Sequence, residues 1–163
     1  MEIERKWLLN RLPLEKERCE NHYLIWQSYL VAEDGYEVRV RRAETLPGHK
    51  GSAISPYKFT FKTGGDLARI ETECELDYGE YIEYIEAIHQ VPIKKEYFSF
   101  IVDGYSVEIS VVDNSWIYAE VEFPSESIAH EYEFPWPELV ISEITYNKDY
   151  KMKNYWNETR MNK

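Results

Sequence analysis

The sequence predicts a mainly β chain of α+β class, folded as one domain over residues 1–163, in which strand after strand carries charge on one face and apolar side chains on the other. Three observations predict it. Charged and apolar residues alternate over many short stretches, Gly- and Pro-containing turns separate those stretches, and one segment near the middle changes to a helical period. The 14 tyrosines and 5 tryptophans suit such a fold, because wide side chains cover sheet faces.

Composition narrows the function. The net charge of −11, from 30 acidic and 19 basic residues, disfavours binding a long nucleic acid through its phosphates, although a small anion can still be held where basic residues are concentrated. No apolar run approaches the roughly 20 residues that span a bilayer. A charged motif follows Met1 directly, without room for a signal peptide, so the expectation is a soluble cytoplasmic protein with no membrane partner. Cys19 and Cys74 lack ligand spacing and read as reduced thiols, and four scattered histidines disfavour a histidine-rich metal site.

The first strand places Glu2, Glu4 and Lys6 on one face and Ile3 and Trp7 on the other. A turn and short helix are expected around Pro13. Tyr23–Val31 reads as a strand closed by Glu33-Asp34-Gly35, and Tyr36–Arg42 alternates strictly, with Glu37, Arg39 and Arg41 opposite Tyr36, Val38 and Val40. After a loop over Ala43–Pro56, Tyr57–Lys62 sets Lys58, Thr60 and Lys62 against Tyr57, Phe59 and Phe61. Its hairpin partner Leu67–Leu76 carries Arg69, Glu71, Glu73 and Glu75 on one face.

Between Asp77 and Gln90, Ile82, Ile85 and Ile88 recur as on one face of an amphipathic helix, and Pro92 blocks its continuation. Ile93–Ile101 reads as a strand with Lys94 and Glu96 sharing a face, Tyr105–Val112 as one with Glu108 and Ser110 sharing a face, and Trp116–Phe123 as one with Glu120 and Glu122 sharing a face. Ser125 is placed to cap a short helix. Leu139–Thr145 gives a last short strand, and the tail from Asn147 suits a weakly patterned helix over the sheet or its end.

Two architectures accommodate these strands. In a sandwich the apolar faces meet and the charges are solvated; in a closed antiparallel barrel the charged faces line a wet lumen and helices cover the outside. Periodicity does not choose between them.

The ordered motifs do. Glu2-Ile3-Glu4-Arg5-Lys6, Gln27-Ser28-Tyr29-Leu30, Arg39-Val40-Arg41, Thr60-Phe61-Lys62, Arg69-Ile70-Glu71-Thr72-Glu73, Lys94, Glu108, Glu120-Val121-Glu122-Phe123, Pro135-Trp136, Glu143-Ile144-Thr145 and Tyr150 resemble the CYTH domain proteins, or triphosphate tunnel metalloenzymes, over nearly the whole chain. The resemblance implies a closed eight-stranded antiparallel β-barrel with a charged lumen, the triphosphate tunnel, and helices packed outside.

It further implies a triphosphate bound by Lys6, Arg39, Arg41, Lys62, Arg69 and Lys94, since arginine suits bidentate phosphate contacts and lysine acts as a point charge. Glu2, Glu4, Glu120 and Glu122 are the first candidates for metal ligands, with Glu73 and Glu108 as additional ones. Carboxylates without histidine or cysteine favour Mg²⁺ or Mn²⁺. Glu4, Glu122 and Lys6 are the candidate catalytic residues, Lys6 either orienting water or pairing with the carboxylates; Glu71 reads as an internal ion-pair partner and Lys58 as a rim residue. Two departures stand out: Glu96 where the family usually has a second basic residue after Lys94, and Ser110 where it often has Asp.

The implied activity is metal-dependent hydrolysis of inorganic triphosphate or a related short polyphosphate or organic triphosphate. The alternatives are a class IV type adenylate cyclase, a thiamine triphosphatase, or a polyphosphate-binding module without turnover; a homodimer is compatible with the acidic surface and exposed aromatics.

Overall fold

The computed structural model describes residues 1–162. Nine strands form one antiparallel sheet: β1 Glu2–Leu9, β2 Asn21–Glu33, β3 Tyr36–Thr45, β4 Tyr57–Gly64, β5 Ala68–Glu75, β6 Ile93–Val102, β7 Tyr105–Val112, β8 Trp116–Glu122 and β9 Val140–Glu143. They run in the order β5-β4-β3-β2-β6-β7-β8-β1-β9, and a further β1–β5 pairing closes the first eight into a barrel. The barrel expectation is met, with β9 as an extra strand.

Closure is local. Along one edge β1 pairs with β8 from Glu4↔Glu122 to Leu9↔Ile117. Along its other edge, Glu2 and Ile3 pair with Arg69 and Ala68 of β5, while Trp7–Leu9 pair with β9. Between these, the Glu4 N–H donates to the Leu67 carbonyl (3.0 Å) and the Lys6 N–H to Thr145 Oγ1 (3.0 Å), so no backbone donor is left open at the seam.

The helices follow their sequence signals. α1 spans Tyr78–Ile88; Asp77 caps it, accepting from the Glu80 N–H (2.8 Å) while the Glu80 carboxylate accepts from the Asp77 N–H (3.0 Å). α2 spans Glu126–Glu131 with Ser125 accepting from the Ile128 N–H. α3 spans Met152–Trp156 and runs into a π-helical turn, Asn157–Met161. The tight β6–β7 turn uses Asp103 and Gly104, both at positive φ, which is why a small residue sits there.

Two apolar clusters divide the molecule. The larger lies outside the barrel: Trp7, Leu9, Phe98, Phe100, Val107, Ile109 and Val121 face away from the lumen and are covered by Ala129 of α2, Leu139, Phe134 and Trp136. Each such side chain contributes about 1.5–3 kcal/mol by leaving water. Arg5 fastens this cover, bonding Glu143 through two nitrogens (3.0 and 2.6 Å) and donating to the Ala129 and Tyr132 carbonyls at the end of α2.

The smaller cluster consists of inward positions of the barrel, Tyr29, Ile93, Val112 and Tyr118, packed against Ile144, Met152 and Trp156. The C-terminal segment thus stoppers one end of the lumen with apolar side chains. The weak tail pattern allowed either a covering or an outer position; the tail covers the mouth.

Candidate functional site

Strand alternation carries the charges inward. Glu4 (8% exposed), Glu37, Arg39 and Lys62 are buried although all four are charged, a combination that needs mutual pairing. A pocket inside the barrel is lined by Glu4, Lys6, Glu37, Arg39, Lys62, Arg69, Lys95, Tyr118 and Glu120, and continues to Asp66, Thr145, Tyr150 and Lys151 at the stoppered end.

Where β1 meets β4 and β5 the charges are paired. Lys62 Nζ lies 3.0 Å from Glu2 and 2.9 Å from Glu71. Arg69 reaches Glu4 at 2.9 Å, Glu37 at 3.1 Å and Glu2 at 3.6 Å, and Glu37 also lies 3.6 Å from Arg39. Burial pushes the Glu2 carboxyl up, aided by its hydrogen bond with Glu71 and the charge of Glu4; Glu71 goes down, since that bond and Lys62 outweigh burial. Burial likewise opposes ionisation of Glu37, yet Arg39 and Arg69 hold it below the ordinary carboxylate range.

On β1, β7 and β8 the carboxylates crowd one another. Oxygens of Glu2, Glu4 and Glu122 lie within 4.8 Å of one another. Register explains the meeting: Glu4 is directly opposite Glu122, and Lys6 opposite Glu120, which in turn faces Glu108 on β7. Burial and then the Glu120 charge raise Glu4, and the same two causes push Glu108 up to about 7. Tyr97 donates to Glu108 at 2.6 Å. Glu120 stays low despite burial because Lys6 (3.9 Å) and Lys62 offset it.

Opposite this cluster stand cations with no such partners. Among the described residues neither Arg41 nor Lys95 forms an ion pair. Lys95 donates to the Tyr118 hydroxyl at 2.7 Å, and burial, then Arg41 and Arg39, drive its pKa well below the ordinary lysine value. Burial and Arg39 also lower Arg41. The buried Nε atoms of Arg39 and Arg69 have no hydrogen-bond partner among the described residues. Lys6 donates to the Tyr150 carbonyl at 2.7 Å and stands over the Tyr118 ring, 4.0 Å from its centre; burial lowers its pKa, against Glu120 and Glu4.

The structure brings Glu2, Glu4, Lys6, Arg39, Arg41, Lys62, Arg69, Glu108 and Glu120 into one lumen, with Glu122 exposed at its rim. It sets Glu73 apart: that carboxylate is held by Lys58 (3.3 Å) and Thr60 (3.3 Å) rather than in the three-carboxylate cluster. Lys94 is corrected. It is exposed on the outer face of β6, and its neighbour Lys95 is the lysine that enters the lumen.

The same one-residue shift moves the departures. Glu96 lies outside, paired with His22 at 2.8 Å, and the inward residue two positions after Lys95 is Tyr97. Ser110 does face inward and is buried, beside Tyr118. Sequence reading missed Lys95, Tyr118, Asp66 and Lys151. A signal for the first was present, since Phe98 and Phe100 share the parity of Lys94, and apolar side chains belong to the outer face of this barrel.

The donor set suits a hard divalent cation: oxygen donors alone, held close and repelling one another. No protein-family model and no curated protein matches the chain. Solved structures do. Two structures of protein NE1496, described in one case as an inorganic triphosphatase and in the other as a hypothetical protein, match with TM-scores of 0.63 and 0.62 at 26% and 27% identity. They cover 95% of this chain and 93% and 97% of theirs. A proposed adenylate cyclase from Vibrio parahaemolyticus shares the fold at a TM-score of 0.50 and 12% identity, over 80% of this chain and 82% of that one.

Proposed function

We propose, for a chain that by fold and ordered motifs belongs with the CYTH triphosphate tunnel proteins, that it hydrolyses inorganic triphosphate or a related short triphosphate with the help of Mg²⁺ or Mn²⁺. One observation carries the reading: a single lumen opposes a crowded carboxylate cluster to Arg41 and Lys95, cations without carboxylate partners. A ligand that satisfies both walls must itself combine a cation with a polyanion.

Glu2, Glu4 and Glu122 are the residues to hold the metal, with Glu120 and Glu108 beside them. When bound, a divalent ion would neutralise phosphate oxygens and acidify a water. Arg39, Arg41, Lys62, Arg69 and Lys95 hold the phosphates, and the free Nε–H groups of Arg39 and Arg69 supply donors already aligned for an anion. Lys94 has no part in this, and Glu73 belongs to the tunnel wall.

In the reaction, a water oxygen bonds the terminal phosphorus as the bridging P–O bond breaks, and diphosphate leaves with the electron pair. A carboxylate of the cluster takes the water proton, and Lys6, between Glu120 and the pocket, offsets charge on the terminal phosphate.

The test is phosphate release from inorganic triphosphate, ATP and thiamine triphosphate with Mg²⁺ or Mn²⁺, alongside Glu4→Gln and Glu122→Gln. Hydrolysis of triphosphate is expected, and each substitution should lower kcat on the order of 100-fold or more. A second reading, a binding module without turnover, draws on Tyr97 and Ser110, which put neutral hydroxyls where the family pattern has charge. Metal-dependent triphosphate binding with no phosphate release, and no cyclic AMP from ATP, would favour it.

A further inference from the structure

The Lys151–Asp66 ion pair lies at the boundary of two cavities. Both residues line the lumen pocket, beside Lys6, Lys62 and Arg69, and both line a groove on the outside that also contains Lys148 and Lys153. Asp66 comes from the β4–β5 turn and Lys151 from the C-terminal segment, so the pair is the latch between barrel and stopper.

The backbone around Lys151 is fixed. Lys6 holds the Tyr150 carbonyl, the Lys151 N–H donates to the Lys148 carbonyl, and the Lys151 carbonyl accepts from Asn154 and Tyr155 at the start of α3. Its ammonium is nevertheless the most easily freed of the paired lumen cations. Lys62 is shared between two carboxylates at 7% side-chain exposure and Arg69 among three at 17%, whereas Lys151, at 22%, has the single partner Asp66, at 29%. Separating a half-wet single pair costs little, and separating a buried network costs much.

We propose that Lys151 is a phosphate-binding residue of the tunnel, delivered by the C-terminal segment: with the site empty Asp66 holds its ammonium, and a terminal phosphate group takes the place of that carboxylate. The inference rests on the triphosphate reading of the same lumen. It gives the stopper a chemical role besides packing, and it selects for a short anion with a free end at the closed side of the barrel over a long polyphosphate passing through.

Steady-state hydrolysis and calorimetric binding of inorganic triphosphate by Lys151→Met, Lys151→Arg and Asp66→Asn distinguish a ligand-binding cation from a strut. Loss of one charge-assisted hydrogen bond should raise KM and Kd about tenfold in Lys151→Met with kcat within about twofold. Lys151→Arg should retain most of the affinity, and Asp66→Asn, which frees the ammonium, should bind as tightly as the parent or more so. If Asp66→Asn weakens binding as much as Lys151→Met does, the pair is only a strut and the proposal falls. It falls equally if Lys151→Met binds normally. Should Lys151→Met fail to fold, Asp66→Asn alone decides by the direction of its change. A parent protein that neither binds nor hydrolyses triphosphate overturns the proposed function itself.

Discussion

The two walls of the lumen are built from the same alternation and end in opposite states. Toward β1, β4 and β5, Lys62 and Arg69 are each shared among carboxylates, so the empty tunnel satisfies its own charge. Toward β3 and β6, Arg41 and Lys95 face only one another's field and neutral groups such as Tyr118. The first wall holds the barrel together; the second stores positive potential that only a ligand relieves. Removing a cation from each should therefore have opposite consequences.

Arg69→Met should give the larger effect on folding. Three buried carboxylates, Glu2, Glu4 and Glu37, lose their shared partner, and breaking such a network costs about 3–5 kcal/mol, measurable as a lower urea midpoint and partly restored by millimolar Mg²⁺.

Next comes the pH dependence carried by Glu108. Its carboxyl, at about 7 against an ordinary 4.5, binds a proton more tightly in the folded chain. Its stabilising contribution is therefore present below about pH 4.5 and is lost as pH rises through 7, a change of about 3 kcal/mol. Urea unfolding at a series of pH values should show this decline in the parent and a smaller one in Glu108→Gln; equal slopes would remove Glu108 from the account.

Lys95→Met should do the reverse of Arg69→Met. Stability should hold or rise, because a desolvated ammonium without an ion-pair partner is removed, while triphosphate affinity falls about tenfold. The smallest effect belongs to Lys94→Met, which should leave affinity within about twofold because it changes only the outer surface. Titration of both variants with triphosphate separates adjacent lysines that the sequence does not distinguish by type.

That pair also shows what is legible in such a chain. β1 could be read directly, since Glu2, Glu4 and Lys6 alternate with Ile3 and Trp7 and no other parity puts apolar residues together. In β6, Lys94-Lys95-Glu96 offers charge at either parity, so the decision passes to Phe98 and Phe100 and to the knowledge that this barrel is apolar outside. The stopper was harder still. Tyr150, Met152 and Trp156 are apolar islands in a polar tail, and only the opening left between Tyr29 and Tyr118 gives them a place to pack. Ion-pair choice, as in Glu73 turning to Lys58 and Thr60, depends on distances across strands that periodicity does not contain.

The two-residue closure between β1 and β5 bears on how the molecule comes into being. β1 has no hairpin partner; its neighbours β5, β8 and β9 are all distant in sequence, while every other strand of the barrel adjoins one that is consecutive in the chain. Loop-closure entropy makes such distant pairings slow to form. The strand bearing Glu2, Glu4 and Lys6 should thus be a late arrival in folding, completing the wall and the carboxylate cluster in the same step, so that a chain caught before that step would be both unsealed and inert.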